Sequence, residues 1–233
     1  MKNKRFLLLS YCTVVLLFLY AVFCSNRVVT TMIENAPILR KYTLVIDAGH
    51  GGVDGGATSC SGKLESAFNL EISLRLKDLF HLLGYETKMI RSSDQSIYTK
   101  GDTIAQKKIS DLKERVNIVN NTENGVLLSI HQNIFSDSRY SGAQVFYGKE
   151  KGSEPLAKAL QSAFATTLNP GSHRQAKRSE GIYLMDHIER PGVLIECGFL
   201  SNPEEESKLR SASYQKKLVC VIASQVSSFL SNT

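Results

Sequence analysis

The amino-acid sequence predicts a single three-layer α/β domain with a roughly six-stranded, mainly parallel central sheet. Three observations lead there. The runs TLVIDAGH, GVLLSIHQN and GVLIECG are short and apolar, the pattern of strands covered on both faces. Segments of helical period stand between them, so the order β-α-β-α-β is explicit. The length, 233 residues, suits one α/β domain with a short appendage and would cramp two.

Taken in order, the chain opens with the basic stretch Met1 to Arg5 and an uncharged apolar run from Phe6 to Cys24. That run approaches the roughly 20 residues that span a bilayer and exceeds a usual signal-peptide core. Export is the expectation, with residues 1–27 a signal peptide or membrane anchor, 28–41 a linker and 42–233 the folded domain. Neither Ala21-Val22-Phe23 nor Phe23-Cys24-Ser25 has the small-x-small pattern of a cleavage site, and Phe23 is bulky for a lipid-attachment site at Cys24. TLVIDAGH then reads as a strand, followed by a loop holding Gly51, Gly52, Gly55, Gly56 and Gly62, where backbone can approach a ligand closely. Phe68, Ile72, Leu76, Leu79, Phe80 and Leu83 mark a helix that starts near Glu65 and ends at Gly84.

YETKMIRS alternates as a strand should, Ile109, Leu112, Val116 and Val119 give a second helix, and GVLLSIHQN is the next strand. GAQVFYG supplies a strand, PLAKALQSAFATTL a helix, GIYLMDHI and GVLIECG two more strands, and a helix from about Tyr214 to Leu230 closes the domain. No internal repeat and no polymer-binding module is visible.

The formal charge of +6 comes largely from Lys2, Lys4, Arg5 and Arg27 in or beside the export segment, which leaves the body nearly balanced. A nucleic-acid partner is therefore not expected, and the basic end fits insertion with the body outside. Past the export segment only Cys60, Cys197 and Cys220 remain, an odd number without CxxC spacing. Free thiols are expected, with a Cys60–Cys197 bridge as the alternative.

Four residues stand where an α/β sheet gathers its ligands, beyond the carboxyl ends of its strands. His50, His131 and Glu196 close the three apolar runs, and Glu65 opens the first helix of the domain. Two imidazoles and a carboxylate suit zinc with one position left for water, and a second carboxylate can carry protons. Taken singly, a strand-end His is more often a structural hydrogen-bonding residue, and a Glu at a helix start more often a dipole partner. Their coincidence carries the weight, sharpened by Glu196, which follows the buried-type run Val193-Leu194-Ile195. Asp47 either orients His50 or accepts backbone N–H groups of the glycine loop, with nothing to separate the two. Arg115 reads as a surface ion pair rather than an anion anchor at the site. His81 and His187 read as structural or solvated, and the cluster His173, Arg174, Lys177 and Arg178 as solvated loop outside the site.

VIDAGHGG, Glu65, SIHQN and LIECGFLSN, in that order and spacing, resemble the zinc-dependent N-acetylmuramoyl-L-alanine amidases of the amidase-3 family across nearly all of Tyr42 to Leu230. The resemblance implies that His50, Glu65 and His131 bind Zn2+, that Glu196 is the catalytic carboxylate, and that the substrate is the amide between N-acetylmuramic acid and L-alanine in peptidoglycan. The export segment, small size and missing wall-binding repeat resemble the germination-specific members, which implies spore cortex as substrate and the forespore intermembrane space as a location. Localisation would then come from the membrane segment or from an accessory exported protein. Some members carry an inhibitory helical insertion after the second His motif, for which this chain has no room. A zinc peptidase or deacetylase on another wall amide, and an inactive peptidoglycan-binding module, are the competing readings.

Overall fold

Strand-forming runs and helical periods assemble into a six-stranded mixed sheet with helices on both faces. The computed structural model describes residues 41–232, together with Val15, Leu16 and Tyr20. The chain divides into two units, Met1–Pro37 and Ile38–Thr233. In the first, only the three named residues are described, all helical, so the predicted export segment and linker lie otherwise outside the described residues. No helix among the described residues is long and apolar enough to cross a membrane.

In the second unit, β1 (Thr43–Ala48), α1 (Glu65–Leu82), β2 (Glu86–Met89), α2 (Ile104–Asn120), β3 (Gly125–Asn133) and β4 (Gln144–Tyr147) follow in order. Then come α3 (Ser153–Ala163), continued by π-helical Phe164–Leu168, β5 (Lys177–Arg178), α4 (Tyr183–His187), β6 (Gly192–Phe199), α5 (Pro203–Arg210) and α6 (Ala212–Ser231). The sheet order is β2-β1-β3-β6-β4-β5. Every neighbouring pair is parallel except β4 with β6, so the expected mainly parallel sheet is found.

Both faces of the central strands are apolar, as the unbroken runs require. Leu44, Ile46, Leu128, Ile130, Val193 and Ile195 face the larger core with α1, α3 and α6. Val45, Leu127 and Leu194 face a smaller one, closed by Val119 of α2 and by Leu184, Met185 and Ile188 in and after α4. Along this second face the alternation of a strand carries the same rows on to Asp47, Ser129, His131 and Glu196. The apolar floor thus turns polar at the carboxyl end of the sheet.

Helix starts follow local chemistry. Thr103 and Gln106 form a reciprocal capping box on α2, and Asn202 accepts from Glu204 and Glu205 at α5, where Pro203 fills the first position. Helix α1 has no side-chain cap at Leu64, and its first residue is Glu65.

Two expectations change. GIYLMDHI is not a strand: Tyr183–His187 is helical, and buried Leu184, Met185 and Ile188 have the spacing of one helix face. The sixth strand is instead the two-residue β5, which pairs with β4. Helix α5 has too little apolar surface for its period to be visible, though the Asn202-Pro203 pair marks its start. Cys60, Cys197 and Cys220 are all free thiols, so the alternative bridge is not formed. Residues 134–143, between β3 and β4, contain no helix.

Candidate active site

Register builds one side of the site. β3 and β6 run parallel with His131 and Glu196 as Cα partners, so both side chains leave the sheet on the same face. Glu65 arrives from the first turn of α1, where its own N–H donates to Ala57 O and its carboxylate turns back toward the strand ends. Its Oε1 accepts from Gln132 N (3.1 Å) and Asn69 Nδ2 (3.2 Å) and lies 3.0 Å from His131 Nδ1. Its Oε2 accepts from Ala57 N (3.0 Å) and lies 3.3 Å from His50 Nε2. His50, just beyond β1, has a φ of 61°, a left-handed backbone that swings its ring inward. The two imidazoles meet edge to face with centroids 5.0 Å apart.

His50, Glu65 and His131 can each offer a ligand atom, and these atoms all lie within 4.8 Å of one another. Two nitrogens and an oxygen at that separation fit a single metal ion and leave a coordination position open. Glu196 stands beside the three as a partly exposed carboxylate whose Oε2 is enclosed and has no hydrogen-bond partner among the described residues.

Electrostatics separate the two carboxylates. Burial opposes ionisation of Glu65, but its contacts with His131 and His50 outweigh burial and hold its carboxyl well below the ordinary range. Burial raises Glu196 to about 7, with Glu65 pushing the same way and the two imidazoles opposing. Burial also depresses the charged form of His50, yet hydrogen bonds to Glu65 and Asp54 leave its pKa raised.

Two buried arginines fix the backbone that carries His50. Arg115 donates to Ala48 O (3.1 Å), to His50 O (2.9 Å) and to Asp111 Oδ2 (2.6 Å), and pairs with Asp47 Oδ1. Arg91 donates to Ala48 O (2.7 Å), Gly49 O (3.0 Å) and Ser66 O (2.8 Å). The carbonyls of three consecutive residues are thus occupied. Arg115 is therefore a buried group tying β1 to α2, not the surface ion pair expected from helix spacing. Asp47 takes neither of its two expected roles, since it binds Arg115 and accepts from Ser129 Oγ (2.7 Å). The carboxylate that meets His50 Nδ1 is Asp54, at 2.9 Å, and Asp54 also meets Lys108 Nζ at 3.2 Å.

Gly49 is required by space. A Cβ there would stand 2.2 Å from His131 Nε2. The expected result for Gly49→Ala is a displaced His131 ring, with metal affinity lowered about 10-fold or more; a zinc titration of the variant that matched the wild type would remove this constraint.

His81 bonds Thr87, and His187 bonds Tyr183 O, both away from the site. His173, Arg174 and Lys177 line a separate groove of about 1130 Å3 that borders none of the four site residues. Sequence reasoning missed Asp54, Lys108 and Arg91, since no periodicity singles out a loop carboxylate, a helix-surface lysine or an arginine just past a strand.

Fold and site together define the class: an α/β protein whose sheet can hold a metal ion at its carboxyl end. The N-acetylmuramoyl-L-alanine amidase (amidase-3) profile matches residues 44–228. A germination-specific N-acetylmuramoyl-L-alanine amidase of Bacillus subtilis is 40% identical over 182 residues, covering 77% of this chain and 76% of the relative. The CwlD amidase of Clostridioides difficile, solved in complex with the GerS lipoprotein, superposes with a TM-score of 0.79 at 36% identity and covers 82% of this chain and 100% of that one. The catalytic domain of CwlV, an N-acetylmuramoyl-L-alanine amidase of Paenibacillus polymyxa, gives a TM-score of 0.70 at 28% identity, covering 82% and 99%. The chain belongs to the amidase-3 family of N-acetylmuramoyl-L-alanine amidases, and it is an enzyme that hydrolyses this amide of peptidoglycan.

Proposed function

We propose that His50, Glu65 and His131 hold Zn2+, that Glu196 is the catalytic acid and base, and that the peptidoglycan cut is spore cortex. The observation that carries the assignment is the enclosed, unpartnered oxygen of Glu196 beside a three-residue group of metal-ligand spacing. A carboxylate oxygen enclosed without a partner is costly unless it is used. The likeness to a germination-specific amidase supports the cortex substrate.

Zinc held there would supply a water of lowered pKa and polarise the scissile carbonyl. Glu196, whose enclosed Oε2 has no partner among the described residues, can accept the proton of the attacking water and return it to the leaving nitrogen of L-alanine. Glu65, whose carboxylate accepts from Gln132 N, Asn69 Nδ2 and Ala57 N, is oriented as a ligand and does not compete for that proton. Asp54 fixes the His50 ring through Nδ1 and leaves Nε2 to face Glu65 and the site centre.

Residues 42–233 form the catalytic domain in this reading, with 1–27 a signal peptide or membrane anchor and 28–41 a linker. The protein acts outside the cytoplasmic membrane, secreted or anchored, in the forespore intermembrane space. An accessory exported protein is part of the proposal, supported by the CwlD structure with its lipoprotein partner. In the test, the zinc-loaded protein is incubated with cortex peptidoglycan and the fragments are read by mass spectrometry. Stem peptides beginning at free L-alanine are expected, and they should vanish when the metal is chelated and return when zinc is restored. Cleavage that persists at full rate after complete chelation, or released acetate in place of free L-alanine termini, would overturn the assignment.

A further inference from the structure

A cleft leads away from the four site residues between α2 and α4. Its inner part, about 180 Å3, touches His50, His131 and Glu196, and has an apolar wall of Leu112, Ile182 and Leu184. An outer pocket of about 100 Å3, lined by Val53, Tyr98, Ile104 and Lys107, shares Asp54, Lys108 and Asp111 with the inner one. Together they make one continuous path that shares Asp54, Lys108 and Asp111.

The charges along this path are unequal in availability. Arg115 is buried and gives four of its five N–H groups to Asp47, Asp111 and two backbone carbonyls. Asp47 and Asp111 are in turn covered by Arg115, and Asp54 is shared by His50 and Lys108. Lys107 lies against the Tyr98 ring, with Nζ 5.2 Å from its centroid. Lys108 is about half exposed, and Asp54 engages its ammonium from one side, at 3.2 Å. An ammonium has three donors, which leaves Lys108 able to receive an anion where the inner and outer pockets join.

We propose that Lys108, at the junction of the two pockets, is a recognition site for a free carboxylate on the stem residue that follows L-alanine. The inference rests on the assignment of the metal site, which places the scissile amide at the inner end of the cleft. The apolar wall then suits the L-alanine methyl group. Asp54 bridges His50 Nδ1 and Lys108, so the ammonium stands one shared carboxylate away from the imidazole. Lys108 lines the same inner pocket as His50, His131 and Glu196, so the peptide residue seated beyond L-alanine comes against its ammonium. A carboxylate there makes a charge-assisted hydrogen bond in a partly enclosed pocket, whereas a carboxamide does not carry the charge.

The test uses the full chain in detergent, loaded with zinc, and two synthetic stem tripeptides that begin with L-alanine. They differ only in a free carboxylate or a carboxamide on the second residue. By titration calorimetry the wild type is expected to bind the acid about 10-fold more tightly than the amide. Lys108→Met should erase that preference with zinc content unchanged, and Lys108→Arg should retain it. Equal affinities in the wild type, or a preference that survives in Lys108→Met, would overturn the subsite. So would an equal loss for both peptides accompanied by loss of zinc, since Lys108 would then act only through Asp54 and His50. Failure of the metal-site assignment reads differently: the wild type discriminates the two peptides, yet its cleavage of cortex peptidoglycan persists after complete chelation.

Discussion

Glu196→Gln is expected to lower kcat by about 100- to 10,000-fold, the range that a positioned acid–base group contributes, while zinc content and melting temperature stay close to the wild type. The replacement keeps shape and removes only the ability to take and return a proton. Oε2 has no partner among the described residues, so no hydrogen bond is forfeited at that atom. Glu196 also lies outside the group whose ligand atoms cluster within 4.8 Å, so the metal should remain. His131→Ala serves as the contrasting variant and should lose zinc and turnover together. Measured by release of L-alanine termini alongside metal analysis, a Gln variant that turned over at more than about one tenth of the wild-type rate would strip Glu196 of its role.

Arg115→Met should destabilise the fold by about 3–5 kcal/mol, the cost of leaving a buried charge without its partner. Asp47 is fully covered and would lose its countercharge, while Ala48 O and His50 O would lose donors. For a chain of this size the shift corresponds to a fall of roughly 10 °C in Tm. Asp47→Asn in the same chain should recover part of the loss, because the group left behind is then neutral. Denaturant melts of the two single variants and the double variant close the cycle. Losses that simply add would show that Arg115 and Asp47 do not stabilise each other.

How much of this was legible in the sequence depends on range. His131 and Glu196 are readable because each ends a run whose apolar character already fixes a strand, and adjacency in a parallel sheet then brings them together. Glu65 is readable from the start of the helical period. Arg115 is misleading for the opposite reason: its partner Asp47 is 68 residues away, and helix spacing cannot reveal that a guanidinium on α2 reaches a carboxylate on β1. The same limit hid Asp54, whose importance comes from the left-handed turn at His50. GIYLMDHI failed because the eye follows its isoleucines as a strand, whereas the buried set Leu184, Met185 and Ile188 is helical in spacing.

The partnership of His131 with Glu196 across β3 and β6 bears on how the sheet finds its alignment. Slipping one strand past the other by a single residue would turn every side chain to the opposite face. Apolarity alone offers weak protection against that error here, because β6 is apolar on both faces, with Val193 and Ile195 on one and Leu194 on the other. A slipped β6 would drive the carboxylate of Glu196 into the large core beside Val145 and Ile130, among groups that cannot solvate it. The carboxylate proposed as catalytic acid is thus also the penalty that makes the misaligned sheet unfavourable, and the slip it discourages is the one that would remove it from the site.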